Sequence, residues 1–439
     1  MLSSFISSHS VIISASLLIL AYMFIALEKI PKMTIALIGG ALTIVLGLVS
    51  QTKAVNGIIN PNYFINYIDF NVIFLLVSMM IIVSITTRSG IFNWVANELL
   101  KFTKGHPIKV LCALGLFTAI TSAFLDNVTT VILIMPITFA IAKKLNIDPI
   151  PFLLTEIFSS NIGGTATLIG DPPNIIIGSA GGLTFMDFVK ELTPIIIIIM
   201  CAVIGVLTLI FRKKLHASDD KMKEVAEIDN THTITNKNLM LRSTIVLALV
   251  ILGFMLHDVI HIETCVVAML GAAFLLIFEK PNDILKDVEW NTIFFFIGLF
   301  IIIGGLEASG GIRLMAEWIL KVTQGSQAAT SMIILWASGV TSGIIDNIPY
   351  TATMAPMLVE IEKAMGTDYT YPLWWALSLG ACLGGNMTII GAAANVIVSE
   401  NAAKSGHPIS FMRFLKYGVA VVAISLILST GYLYLRFLH

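Results

Sequence analysis

Two Asp-Asn pairs carry the strongest chemical signal in this chain of 439 residues, Asp126-Asn127 and Asp346-Asn347. Thr121-Ser-Ala-Phe-Leu-Asp-Asn127 recurs 220 positions downstream as Thr341-Ser-Gly-Ile-Ile-Asp-Asn347, and the register holds without a gap to Pro136 and Pro356. A glycine-rich stretch follows each pair. Gly163-Gly-Thr-Ala-Thr-Leu-Ile-Gly170 with Asn174 returns as Gly384-Gly-Asn-Met-Thr-Ile-Ile-Gly391 with Asn395, now at an offset of 221. Asp126 and Asp346 lie between apolar runs, where a carboxylate costs ~2.5–3.5 kcal/mol and normally faces a cavity. They are read as sites for Na+ or a proton, against the alternative that each only caps its own turn by accepting backbone N–H bonds. Asn127 and Asn347 either ligate a cation through the amide oxygen or brace the turn. Two acids close across a symmetry axis would not both ionise freely.

Around these pairs, Thr129, Thr165, Thr167, Asn174, Asn386, Thr388 and Asn395 are candidate hydroxyl and amide ligands, or else groups that satisfy unwound backbone. Gly163, Gly164, Gly384 and Gly385 are read as geometric, permitting unusual φ and close approach. Bulk at Gly164 or Gly385 is expected to fill the site and stop transport while expression stays largely intact. Asp171 and Glu156 break the repeat, facing Ala392 and Leu377. Both are candidates for proton coupling. The blander expectation puts Glu156 in a hydrated vestibule and makes Asp171 the cap of the half helix that Pro172-Pro173 opens.

The elements that must position these groups are membrane helices. The chain is 57% hydrophobic and 12% charged, with a mean hydropathy of +0.92. Apolar runs near 17–20 residues recur, the length that crosses a bilayer. The expected fold is an all-α polytopic membrane protein, an inverted repeat of two halves with about 10 transmembrane helices, two re-entrant hairpins and two broken helices. The first half covers residues 1–211, with an inward hairpin at 108–142 and a broken helix at 150–180. A solvated cytoplasmic linker covers 212–243. The second half covers 244–439, with an outward hairpin at 330–363 and a broken helix at 371–403. Ile91–Phe102 and Ile312–Val322 read as short amphipathic segments at the interface.

With the N-terminus outside, 20 of the 26 lysines and arginines fall in inside segments and six in outside ones. Both termini are therefore expected outside, in a prokaryotic-type cytoplasmic membrane. No cleaved signal peptide is read at the N-terminus. A net charge of −1 argues against a nucleic-acid partner. The four cysteines lack CxxC spacing and read as packing residues. His257 and His261, four apart at an outer boundary, are too few ligands for a metal site. No ATP-binding P-loop is present.

The stretch Gly-Gly-Thr-Ala-Thr-Leu-Ile-Gly-Asp-Pro-Pro-Asn174, with the Asp-Asn tips, resembles the ArsB/NhaD permeases of the ion transporter superfamily. The tips Phe124–Thr130 and Ile345–Thr353 look most like those of the melanosomal P protein in that group. The resemblance covers nearly the whole chain. It implies a dimerising scaffold, a transport domain that moves as an elevator, and sodium or proton coupling. The more distant dicarboxylate carriers have Ser-Asn-Thr tips, which neither copy here has, and two fixed acids would repel a multiply charged anion.

The leading reading is a secondary active ion transporter, not an enzyme, performing Na+/H+ exchange or Na+/H+-coupled movement of an inorganic anion. Na+ is placed at Asp126, Asn127, Asp346 and Asn347, and no cofactor beyond the coupling ion is expected. The runner-up is efflux of arsenite, antimonite or another small oxyanion, in which case a separate ATPase subunit could join it. A dicarboxylate symporter is less favoured. An intramembrane aspartyl protease also needs two acids, but no Gly-x-Gly-Asp context surrounds them, and a passive channel would betray itself by currents faster than carrier turnover.

Overall fold

The computed structural model describes residues 6, 8–27, 29–50, 52–55, 58–226 and 233–438. It is helical almost throughout. Among the described residues, six helices are long and apolar enough to cross a membrane: Phe70–Arg88, Asn127–Leu145, Thr193–Phe211, Lys237–Met255, Trp290–Ala308 and Phe411–Phe437. Four shorter apolar helices accompany them, Ser10–Ala26, Lys32–Val45, Pro107–Ser122 and Thr264–Leu276. Lys32–Val45 stops earlier than its apolar run because Gly47 turns left-handed at φ +70°.

The two halves are exchanged by a pseudo-twofold relation that the packing makes visible. Lys32–Val45 packs against Trp290–Ala308, and its counterpart Thr264–Leu276 packs against Phe70–Arg88. Ser10–Ala26 and Lys237–Met255 repeat this exchange on the same two long helices. Small residues permit the close crossing. A Cβ on Gly298 would stand 2.4 Å from the Ala36 carbonyl carbon. Gly90 and Gly310, at matched positions, have φ +84° and +85° and redirect the chain into amphipathic helices Ile91–Thr103 and Gly311–Val322.

The hairpins form a second layer. Pro107–Ser122 and Asn127–Leu145 are the arms of the first, Gln327–Ser342 and Asn347–Met365 of the second. Each second arm begins on a tip aspartate and carries the matched proline, Pro136 or Pro356, inside it. The broken helices lie against the first arms. Ile150–Gly164 crosses Pro107–Ser122, and Thr367–Gly384 crosses Gln327–Ser342. Helix resumes at Pro172–Gly181 and at Ala393–Lys404. Each resumed helix packs on the second arm of the other half's hairpin, so the four elements interlock.

Four expectations change. The glycines at 163, 164 and 384 stay helical, so the true breaks shrink to 165–171 and 385–392, the latter holding a 3-10 turn at Ile389–Gly391. Thr367–Gly384 is 18 residues, longer than a half helix. The linker is not merely solvated: it carries helix Asp219–Ala226, which packs on Asn127–Leu145 and Ile91–Thr103, and Thr235 N donates to Ser89 O at 3.1 Å. Residues 227–232 of that linker lie outside the described residues. A small antiparallel ribbon, Thr52–Val55 with Ile58–Pro61, is a short addition to the all-α expectation.

Candidate functional site

Each tip aspartate is an N-cap. Asp126 accepts from Thr129 N (2.9 Å) and Thr129 Oγ1 (2.5 Å), so both carboxylate oxygens are held by the turn it starts. Asp346 accepts from Ile348 N at 3.1 Å, and its other oxygen meets Lys32 Nζ at 2.9 Å. Among the described residues, no hydrogen bond joins the two acids. The sequence reading set these aspartates at the centre of the site, whereas the geometry gives that place to the asparagines beside them.

Asn127 and Asn347 converge on a third acid, Asp171. Asn127 Nδ2 donates to Asp171 Oδ1 at 3.3 Å, and Asn347 Nδ2 donates to Asp171 Oδ1 and Oδ2 at 3.4 and 3.3 Å. All three side chains are buried, and Asp171 is fully so. Asp171 stands at the N-cap position of Pro172–Gly181, but its side chain caps nothing: Pro172 and Pro173 offer no N–H, and the carboxylate turns to the tips. The expectation of a cap is corrected.

Asn161 extends the network. It accepts from Asn127 Nδ2 at 3.2 Å and donates to Asn386 Oδ1 and Asn395 Oδ1 at 2.9 and 3.0 Å. Asn386 Nδ2 is buried without a partner among the described residues. Asn174 and Asn395 are structural. Asn174 Nδ2 donates to Thr165 O and Thr167 O at 3.1 and 2.8 Å, while Asn395 Nδ2 donates to Gly385 O and Thr388 O at 2.7 and 2.9 Å. Each amide thereby satisfies the carbonyls that its own break leaves without helical partners. Their oxygens accept from the opposite half, Asn174 from Ser378 at 2.6 Å and from Cys382 at 3.5 Å.

The threonines serve the same end. Thr167 donates to Ala123 O and Thr388 to Gly343 O at the matched contact, tying each break to its hairpin, and Thr165 donates to Asn161 O at 2.8 Å within its helix. The glycines are close-approach residues with ordinary φ. A Cβ on Gly163 would sit 2.1 Å from Ala119 O, and on Gly384 2.4 Å from Gly339 O. At Gly164 and Gly385 the nearest atoms are Gly170 O (2.6 Å) and Gly391 O (3.0 Å). Bulk there meets backbone rather than a void, so a large side chain would strain the crossing as well as the site.

Glu156 is not in a vestibule. It is buried, with Oε1 accepting from Thr138 and Oε2 without a partner among the described residues. His257 Nδ1 meets Ile262 O at 2.8 Å, and no group of three His, Cys, Asp or Glu side chains among the described residues is placed to hold a metal. Cys382 is buried in the site and Cys201 is exposed, so packing is not the common role expected for the cysteines.

A family model described as a citrate transporter matches residues 22–380. The chain belongs to the citrate transporter family. An uncharacterized transporter of Mycobacterium tuberculosis is 41% identical over 432 residues, covering 97% of this chain and 98% of that protein. The P protein of Homo sapiens is 30% identical over 504 residues, covering 96% of this chain and 59% of that protein, which bears out the resemblance to the P protein. The YdaH transporter of Alcanivorax borkumensis shares the fold at a TM-score of 0.59, with 13% identity over 98% of each chain. The chain is an integral, multi-pass membrane transporter and resides in the lipid bilayer.

Among the described residues, the pseudo-twofold relation exchanges two of this transporter's cavities, which we call vestibules. One, of about 330 Å³, is lined by Lys32, Val128, Glu289, Thr292, Asp346 and Glu400, and reaches both hairpins. The other, of about 210 Å³, is lined by Asn71, Val72, Ile175, Ser179, His257 and Glu263, and includes no tip residue. The burial pattern agrees. Every residue from Pro149 to Gly178 is buried, while Met387, Ile389 and Ile390 of the second break and Ala393, Val396 and Ile397 of the helix after it are partly open.

Asn161, Lys32, Glu289 and Ser378 escaped the sequence reading. Asn161 pairs with Cys382 in the repeat, so comparison of the halves hid it. Lys32 counted only as a loop charge. Glu289 occupies the repeat position of Asp69, and its carboxylate accepts from Thr292 Oγ1 at 3.0 Å.

Proposed function

We propose that this transporter is a cation-coupled secondary carrier that exchanges Na+ for H+, or moves a small inorganic anion with them, and that Asp171 is its coupling group. The observation that carries the reading is the meeting of Asn127 and Asn347, one from each hairpin, on the carboxylate of Asp171. A buried carboxylate needs compensation, and two neutral amide donors supply only part of it. A proton or a bare cation supplies the rest. For Na+, a half-turn of either amide presents its oxygen instead of its nitrogen, giving a carboxylate and amide oxygens from both halves as ligands. Asp171 has no counterpart in the repeat, so one coupling group serves two symmetric tips.

Alternating access is part of this proposal, and the pair of vestibules supports it. Of this pair, as lined by the described residues, the larger reaches the tips, and its pseudo-symmetric mate would do so if the hairpins and broken helices moved against the scaffold of long helices. Movement of that layer as an elevator, a homodimer built on the scaffold, both termini outside and a cytoplasmic linker all belong to this proposal. The open vestibule carries Glu289, Asp346 and Glu400 against Lys32, a balance that favours cations over a polyanion such as citrate. Efflux of arsenite or antimonite, with or without an ATPase subunit, is the second reading; an uncharged small oxyacid fits the vestibule and meets no repulsion from its acids. The test is flux into proteoliposomes with Na+ or H+ gradients, offering arsenite, succinate and citrate in turn. Na+-driven proton movement supports the reading; citrate uptake indifferent to both gradients would reject it.

A further inference from the structure

Lys32 opens the helix Lys32–Val45 that packs on Trp290–Ala308, so it belongs to the scaffold. Its ammonium crosses to the other layer. Nζ lies 2.9 Å from Asp346 Oδ2 on the second hairpin tip and 5.1 Å from the centroid of Phe295, whose ring is fully buried. The lysine side chain is 30% exposed and the carboxylate 8%, which sets the pair in the vestibule wall with the lysine on the open side. Among the described residues the matched acid at the first tip has no lysine or arginine against it; Thr129 donates to both its oxygens.

An ammonium and a cation entering the vestibule on its way to Asp171 are alternatives at the Asp346 carboxylate, because two positive charges at that distance repel and each needs the same lone pairs. The pair also ties the hairpin to the scaffold, across the boundary where relative movement would occur. We propose that Lys32 is a cation-released latch. It neutralises Asp346 and pins the second tip to the scaffold, and an incoming cation takes the carboxylate, sends the lysine into the vestibule and frees the hairpin. The latch accordingly sets cation affinity and couples occupancy to movement. This inference rests on the cation-coupled reading above.

The test uses the full chain in detergent and in proteoliposomes, with NaCl against choline chloride at constant ionic strength and at several pH values. In Lys32→Gln, the Na+ concentration or acidity that half-maximally raises the melting temperature falls about tenfold, because the tethered competitor is gone. Cation-independent exchange rises in the same variant. Lys32→Arg, which keeps the charge, stays near wild type. Adding Glu400→Gln to Lys32→Gln restores the vestibule's net charge; a latch predicts that the affinity stays high, and a general field effect predicts a return to wild type, which would overturn the proposal. A wild type that responds to Na+ or pH, with Lys32→Gln unchanged in affinity and leak, would overturn the latch alone. A wild type that responds to neither would overturn the cation-coupled reading and the latch with it.

Discussion

Gly163→Ala places a methyl carbon 2.1 Å from Ala119 O, with Ala119 Cα and C at 2.5 and 2.6 Å. All three are backbone atoms, so no side chain can swing aside, and the crossing of Ile150–Gly164 over Pro107–Ser122 must open by roughly 1 Å to restore normal contact. That displacement would pull Asn161, two residues earlier, away from Asn127. Overpacking of this kind costs about 3 kcal/mol. Gly384→Ala meets Gly339 O at 2.4 Å and has a similar cost, while Gly385→Ala, at 3.0 Å from Gly391 O, has a smaller one. Gly205 and Gly431 are helical with nothing within 4 Å of the added carbon. Alanine there stabilises the helix by up to ~1 kcal/mol. Thermal melting of the five detergent-purified variants gives the ranking directly: Gly163 and Gly384 lowest, Gly385 between, Gly205 and Gly431 at or above wild type. If Gly163→Ala melts like Gly205→Ala, the interlocked crossing is wrong.

Further outcomes follow from the site. Asn127→Ala and Asn347→Ala each leave Asp171 with one amide partner, costing ~1.5–3 kcal/mol of stability, and both should lose coupled flux in proteoliposomes. Asp126→Asn keeps an oxygen for Thr129 N and should lower stability by only ~1 kcal/mol, whereas Asp346→Asn also strands Lys32 and should melt lower; normal coupled flux in both would leave the tip acids as caps alone. Cysteines introduced at Ser218 and Leu438 should react with an impermeant thiol reagent from opposite sides of the membrane, and labelling from one side would reject the inverted topology.

The architecture was legible because its signals are periodic and duplicated. Apolar runs set the helices, and the repeat exposed the Asp-Asn tips and glycine breaks before any coordinates. What stayed hidden depends on distance rather than pattern. Asp171 looked like a helix cap, because sequence adjacency to Pro172-Pro173 says nothing of amides arriving from residues 127 and 347. Asn161 was masked by symmetry, since its counterpart is Cys382, yet the two make reciprocal contacts with Asn395 and Asn174. Lys32 lies in a loop-like segment, and only packing of its helix on Trp290–Ala308 brings it to Asp346. Asn174, Asn395, Thr167 and Thr388 were recognised as polar groups in the right place, but their bonds go to backbone carbonyls that the breaks expose.

The central claim is that Asp171 is the coupling group, and Asp171→Asn tests it most directly. Asparagine keeps the shape and one acceptor oxygen for Asn127 and Asn347 while removing the charge. In sealed proteoliposomes bearing a pH gradient, the account predicts a variant that purifies and melts close to wild type yet no longer couples Na+ to proton movement. Wild-type Na+-dependent proton flux in Asp171→Asn would contradict it.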